Sequence, residues 1–307
     1  VDKTQNQGAG MTVTSIGLDS PAGFNNFAEA AEVSIVEELS KEEETEVLDF
    51  LAERPIHTVF LSSLVRDNGL VSPHNRGSFY AYRDQYQQLK GVALLGHATV
   101  IEARTESSIS VFARLARNCQ NAHLIRGERE IIENFWNHYA TAGPEPRRVC
   151  SELLLEQRHA GPSLEGVDLR RATLGDLDKV LAVNASMAFE EGGISPLQSD
   201  PGGFRDRLAR RIEQGRIWVW FSDNRLIFKA DLVGATPQVA YLEGIHVHPE
   251  ERRKGYGLRC LSQLSSILLT SSQSISLTVS EQNTKARSLY EKAGYEFHSH
   301  YETIYLR

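Results

Sequence analysis

The stretch Tyr241-Leu-Glu-Gly-Ile-His-Val-His-Pro-Glu-Glu-Arg-Arg-Lys-Gly-Tyr256 decides the fold. Leu242, Ile245 and Val247 are strand formers, and Pro249, which has no N–H for a ladder, stops the strand. Arg252-Arg253-Lys254-Gly255-Tyr256-Gly257 follows. Beyond it lies an apolar run at helical spacing: Leu258, Leu261, Leu264, Ile267 and Leu268. A strand, a basic glycine loop and a helix N-terminus together make an anion cradle, because backbone N–H groups point out of the loop and the helix dipole adds positive charge. Gly255 and Gly257 stand where a Cβ would hold the backbone away from a phosphate. The expected ligand is a pyrophosphate.

Downstream, Asn283-x-x-Ala286-x-x-Leu289-Tyr290-Glu291-Lys292-Ala293-Gly294-Tyr295 precedes a short terminal strand. This segment and Val247-x-Pro249-x-x-Arg252-Arg253-x-Gly255-x-Gly257, in this order, resemble the two signatures of the GNAT superfamily of N-acetyltransferases. The resemblance implies acetyl-CoA as cosubstrate. Its pantetheine arm and thioester would lie along Ile245, His246 and Val247, at a free backbone N–H of a splayed central strand. Its pyrophosphate would meet Arg252, Arg253, Lys254, Gly255, Tyr256 and Gly257. Asn283 and Ala286 would open the helix that faces the cofactor.

Acetyl transfer to an amine needs a polarised carbonyl, a deprotonated amine, alignment, and a proton for the departing thiolate. By the resemblance Tyr290 is the general acid. Glu243 is the candidate base: strand alternation places it on the face of Ile245 and Val247, two residues beyond the position commoner in the family, here Tyr241. A substrate-orienting carboxylate is the equal alternative. Glu190 and Glu191, in an expected loop from Glu190 to Gly203, suit a cationic acceptor. His246 and His248 share a face, as do His298 and His300, but no third and fourth ligand with set spacing accompanies either pair, so no metal is expected.

Upstream, the order of elements from 34 to 158 is helices, hairpin, strand, helix, strand, helix, strand, which is the order of the same fold. The junction from Val100 to Ser110 carries no glycine and offers Glu102, Arg104 and Glu106 instead. The expectation is an α/β chain, in detail an α+β mixed sheet, of two tandem GNAT-like domains: a flexible leader over 1–33, a degenerate copy over 34–158, a linker over 159–165 and an intact catalytic copy over 166–307. Tandem proteins of the mycothiol synthase type share this arrangement. Phe228-Lys229-Ala230-Asp231 and Glu190-Glu191-Gly192 look more like a related bacterial group.

The bulk properties agree. A chain of 307 residues fits two domains. A net charge of −7 argues against nucleic acid as partner. Three scattered cysteines, Cys119, Cys150 and Cys260, suggest a reducing compartment, and no apolar run approaches a membrane span. The expected protein is cytoplasmic, and its acceptor is a primary amine of a small molecule or peptide. The alternative is a non-catalytic acyl-CoA-binding sensor or assembly module. Oligomeric state is left open by the sequence.

Overall fold

The computed structural model describes residues 35–141, 145–161, 164 and 167–307. The expected leader at 1–33 and residues 162, 163 and 165 of the expected linker lie outside them. In chain order the strands of the first half are β1 (Ile35–Glu38), β2 (Gly77–Arg83), β3 (Leu89–Gly96), β4 (Ala98–Ala103), β5 (Leu124–Glu128) and β6 (Pro146–Gln157). Its helices are α1 (Glu44–Ala52), α2 (Pro55–Asn68), α3 (Glu106–Ala116) and α4 (Arg129–Tyr139). The second half has strands β7 (Arg170–Arg171), β8 (Ile217–Ser222), β9 (Arg225–Ala235), β10 (Val239–Val247), β11 (Ser274–Ser280) and β12 (Glu296–Leu306). Its helices are α5 (Leu177–Gly192), α6 (Pro196–Ser199), α7 (Pro201–Glu213), α8 (Tyr256–Leu268) and α9 (Thr284–Ala293).

All twelve strands form one mixed sheet, in the order β1-β2-β3-β4-β5-β12-β6-β11-β10-β9-β8-β7. Its parallel pairs are β4 with β5 and β10 with β11. The middle of this order is an exchange. The last strand of the first half, β6, lies against β11 of the second, and the last strand of the second half, β12, lies against β5 of the first. β6 and β12 also pair with each other along most of their length. The sheet is thus hydrogen-bonded without a break through both halves.

Apolar residues on each sheet face bury against helices. In the second half, Leu242, Leu277, Val279 and Phe228 pack under α8 and α9 through Leu261, Leu264 and Tyr290. In the first half, Ile101 and Ile125, joined by Ile304 of β12, pack under α3 and α4 through Phe112, Ile132 and Phe135. The two halves also meet through α2. Its Ile56 and Val59 pack with Leu154, Val239, Tyr241 and Tyr301. Gly234 of β9 permits this docking: a Cβ there would lie 2.5 Å from Ser63 Oγ.

Two expectations change. The loop foreseen from Glu190 to Gly203 is largely helical: α5 runs through Glu190 and Glu191 to Gly192, α6 follows, and α7 begins at Pro201. A left-handed Gly193 (φ 74°) ends α5, and Pro196 and Pro201 start the two helices after it, so residues that suggest a loop serve as helix punctuation. The second change concerns β10. Glu243 pairs with Asp231 but His246 pairs with Lys229, which leaves one extra residue in β10. Gly244 at φ +58° forms this bulge. The extra residue resets the alternation: Ile245 and Val247 join Leu242 against the α8 and α9 core, while Glu243 stays on the Tyr241 face. Glu243 is therefore not on the face of Ile245 and Val247.

Candidate active site

β10 and β11 pair in parallel only from Val239/Ser274 to Leu242/Leu277. Past that point β11 continues beside β6, and among the described residues β10 has no strand partner on its β11 side. The chain thus parts its sheet beside the basic loop, and the half-buried β10 edge from Glu243 to Val247, unpaired on this side, can offer backbone groups to a ligand.

The loop at the end of β10 is built for an anion. Arg253 (φ 66°) and Gly255 (φ 84°) both take the left-handed conformation, a geometry in which successive N–H groups converge on a concavity. No side chain caps the start of α8, so its first N–H groups stay available. Around the Cβ position of Gly255 nothing lies within 4 Å. Arg252, Arg253 and Lys254 are exposed. Arg252 Nε donates to the Val247 carbonyl at 3.1 Å, which ties the guanidinium to the loop. The acids of the turn are themselves engaged: Arg225 bonds Glu250 at 2.7 Å and Glu251 at 2.5 Å. These groups fit a diphosphate. Gly257 has a packing role. It is buried, and its Cβ would meet Val247 Cγ2 at 3.1 Å and Leu289 Cδ2 at 3.2 Å, so its smallness seats α8 against β10 and α9. Tyr256 packs edge-on against Trp220, with ring centroids 4.8 Å apart. Asn283 caps α9, accepting from the Ala286 N–H at 3.1 Å.

Tyr290 lies on α9 and is buried, 7% exposed. Burial and the negative charge of Glu191 push its phenol well above the ordinary range, so it keeps its proton at neutral pH. On the other face of the sheet, a polar row crosses five adjacent strands: Arg126 on β5, Thr303 on β12, Glu152 on β6, Thr278 on β11, and Tyr241 with Glu243 on β10. Arg126 donates to Glu243 Oε1 at 2.5 Å, to the Tyr241 hydroxyl at 2.5 Å, and to Thr278 Oγ1. The Tyr241 hydroxyl donates to Glu243 Oε1 at 2.8 Å, and Thr303 Oγ1 donates to Glu152 at 2.6 Å. Loss of solvent raises the proton affinity of Glu243, but the Arg126 charge and bonds outweigh this and hold its carboxyl below the usual range. Behind the bulge, buried Lys229 pairs with Asp231 at 2.9 Å and donates to the Gly244 carbonyl at 2.7 Å. Burial and the positive charges of Lys229 and Arg252 lower His246 to about 4, so its ring is neutral at physiological pH.

The two acids at the end of α5 diverge, as neighbours on a helix do. Glu190 turns back to Ser186, whose hydroxyl donates to it at 3.4 Å. Glu191 faces the cleft. It stands at the lip, accessible to solvent, yet the surrounding protein mass and the charges of Glu243 and Glu152 raise its carboxyl to about 7. Arg148 of β6 fixes this turn of helix, donating to the carbonyls of Glu190 and Glu191 at 2.7 and 2.8 Å. The structure therefore groups Glu191, Glu243 and Tyr290 electrostatically and leaves Glu190 out. Sequence reasoning did not find Arg126, Arg148 or Glu152. Arg126 and Glu243 are 117 residues apart, and no local pattern connects them.

With this geometry in hand, comparison with known proteins is direct. Residues 232–304 match the family model described as FR47-like protein. An acetyltransferase of the GNAT family from Colwellia psychrerythraea is 12% identical and superposes with a TM-score of 0.54, over 89% of this chain and 100% of that one. A Drosophila protein is 14% identical with a TM-score of 0.65, over 89% of this chain and 99% of that one. A tandem GNAT protein from the clavulanic acid biosynthesis pathway is 13% identical with a TM-score of 0.54, over 89% and 98%. No curated protein matches the chain by sequence. At such identities the structural likeness establishes fold, and it agrees with the parted strands and the open loop: the chain is a tandem protein of the GNAT acetyltransferase fold, with an FR47-like segment spanning the cradle and α9 of its second half.

Proposed function

We propose that the chain moves an acetyl group from acetyl-CoA to a primary amine of a small molecule or peptide, by direct attack in a ternary complex held by residues 166–307, with 34–158 as the degenerate copy. The observation that carries this reading is the coincidence of two features at one end of β10: a strand edge freed by the parting from β11, and a basic, left-handed, uncapped loop fit for a diphosphate.

Acetyl-CoA supplies the activated acyl group. The protein's part divides among a few groups. The loop from Arg252 to Gly257 holds the pyrophosphate. The free edge of β10 gives a backbone N–H to the thioester oxygen, a donor fixed before the charge develops. Tyr290 keeps a phenolic proton at neutral pH and delivers it to the sulfur as the C–S bond breaks, and the second proton lost from the nitrogen restores the phenol. Glu191, raised to about 7, takes the proton of the incoming ammonium, because a base is most effective when its proton affinity lies near the working pH. Glu243, first in line from the sequence, suits this role less well: its Oε1 accepts from both Arg126 and Tyr241, and its carboxyl is held acidic. It is better placed to shape the acceptor wall. With Arg126 saturated by its partners, Glu191 and Glu152 leave the cleft with excess negative charge, which favours a cationic acceptor.

The test is thiol release from acetyl-CoA over a panel of primary amines, diamines and amino-terminal peptides. Acceptor-dependent release that disappears in Tyr290→Phe is the expected result. Tight CoA binding with no release for any amine would replace the transferase with the non-catalytic acyl-CoA sensor.

A further inference from the structure

Arg126 sits at an unusual point of the topology. It is the last residue of β5 to pair with β4, opposite Val100, where the strands of the first half part. Its guanidinium reaches the place where the strands of the second half part, at Glu243 and Thr278. The exchange of β6 and β12 makes this reach possible, because it sets β5 only four strands from β10. Arg126 pairs directly with Thr303, and its side chain is 23% exposed and bonded on three sides. Its fork is used as a guanidinium fork is best used, in several directed bonds at once.

We propose that Arg126, supplied by the first half, is a positioning residue of the acceptor cleft: it locks Glu243 and Tyr241 into one unit and sets the charge balance in which Glu191 works. The inference rests on the reading of Glu191 as the base. Several groups face Glu191. The negative ones are Glu243 from β10 and Glu152 from β6. The positive ones are Arg126 from β5 and Lys229 from β9, and Arg148 from β6 is bonded to the backbone carbonyls of Glu190 and Glu191. Tyr290 from α9, Tyr305 from β12 and Cys150 from β6 lie within reach of its charge. Lys229 is committed to buried Asp231. Arg148 is committed to the helix carbonyls, and Arg126 is the cation paired with the cleft carboxylates Glu243 and Glu152. Without it, Glu243, Glu152 and Glu191 face one another uncompensated, and Glu191 holds its proton to higher pH. The second half alone has a cradle but lacks this cation.

The test is a titration of Glu191 itself, which needs no acceptor. In protein labelled with carbon-13 at the glutamate carboxyls, the Glu191 resonance is the one missing from Glu191→Gln. Arg126→Gln removes a positive charge and frees the Glu243 carboxylate, so the Glu191 midpoint is expected to rise by roughly one pH unit or more. Glu243→Gln removes a negative charge and is expected to lower it. Arg126→Lys keeps the charge and loses the fork, so the midpoint stays within a few tenths of a unit of wild type, about the resolution of the titration. A purely structural role would lower the melting temperature of these variants and leave the midpoint unmoved. Equal midpoints in wild type, Arg126→Gln and Glu243→Gln, all folded by circular dichroism, would overturn the proposal. If Arg126→Gln does not fold, the direction of the Glu243→Gln shift decides alone. The pH profile of kcat/KM separates the underlying reading. Its acidic limb should vanish in Glu191→Gln, and if it survives there, Glu191 is not the base even though the titration shifts stand.

Discussion

The same strand-to-helix junction occurs twice in this molecule, and the two copies end differently. From β4 to α3, Thr105 caps the helix: its hydroxyl accepts from the Ser108 N–H at 3.2 Å, and Ser108 returns a bond to the Thr105 N–H. Glu106 opens the helix with a negative charge, and Arg104 is drawn away to Glu53 and Glu102. Past the last pair of β4 with β5, Arg54 bridges Glu102 and Glu128 across the gap, and Glu102 is 2% exposed. From β10 to α8, no side chain caps the helix, two left-handed residues turn their N–H groups outward, and the edge beyond Leu242 is free. The helices that follow differ too: the seventh residue of α9 is Tyr290, and the seventh of α4 is the fully buried Phe135. Both copies keep the parted strands. What separates a ligand site from a scaffold here is whether the helix start is satisfied internally or left for a guest.

The comparison breaks or sharpens under substitution. Tyr290→Phe removes one proton donor and converts the second half toward the first. Its kcat with any authentic acceptor is expected to fall ~10²–10⁴-fold, with CoA affinity little changed, as steady-state kinetics and calorimetry would report. A rate equal to wild type would remove Tyr290 from the chemistry. Gly244→Ala tests the bulge that β4 does not have. A Cβ at φ +58° would lie 2.7 Å from Lys229 Nζ and 2.9 Å from Asp231 Oδ2, both held in a buried pair. Denaturant unfolding is expected to show a loss of ~2–3 kcal/mol; an unaffected midpoint would mean that β10 can pair without the extra residue. Thr105→Ala opens the helix start of the first half. It is expected to cost about 1 kcal/mol of stability and to create no CoA site, because Glu106 and the Arg54 bridge remain. A second CoA bound by that variant would show that the cap alone separates the copies.

Much of this contrast was legible in the sequence. The order of elements follows from apolar periodicity and glycine and proline punctuation, and the missing glycines between Val100 and Ser110 already set the first junction apart. The loop glycines, Asn283 and Tyr290 stood out by residue type and spacing. The rest depends on long-range choices that local pattern does not encode. Nothing in Cys150-Ser-Glu-Leu-Leu-Leu155 says that this strand will pair with β11, so the exchange and the recruitment of Arg126 stayed hidden. The bulge at Gly244 depends on how β10 pairs with β9, which no local pattern fixes. One extra residue there moved Glu243 to the face opposite Ile245 and Val247. Glu191 was legible as an acid but not as a raised one, since its proton affinity comes from burial in the folded chain and from Glu243 and Glu152 on two distant strands.

The central claim is that the open helix start belongs to the second half alone, and calorimetry of CoA with the full chain and with Gly255→Asp tests it most directly. Gly255 is preferable to Gly257 because its Cβ position is open, aspartate tolerates the left-handed region, and the added charge sits where phosphate would bind. The expected result is one CoA per wild-type chain and at least about tenfold weaker binding to a Gly255→Asp protein that melts like wild type. Two CoA per chain, or unchanged affinity in the folded variant, would contradict it.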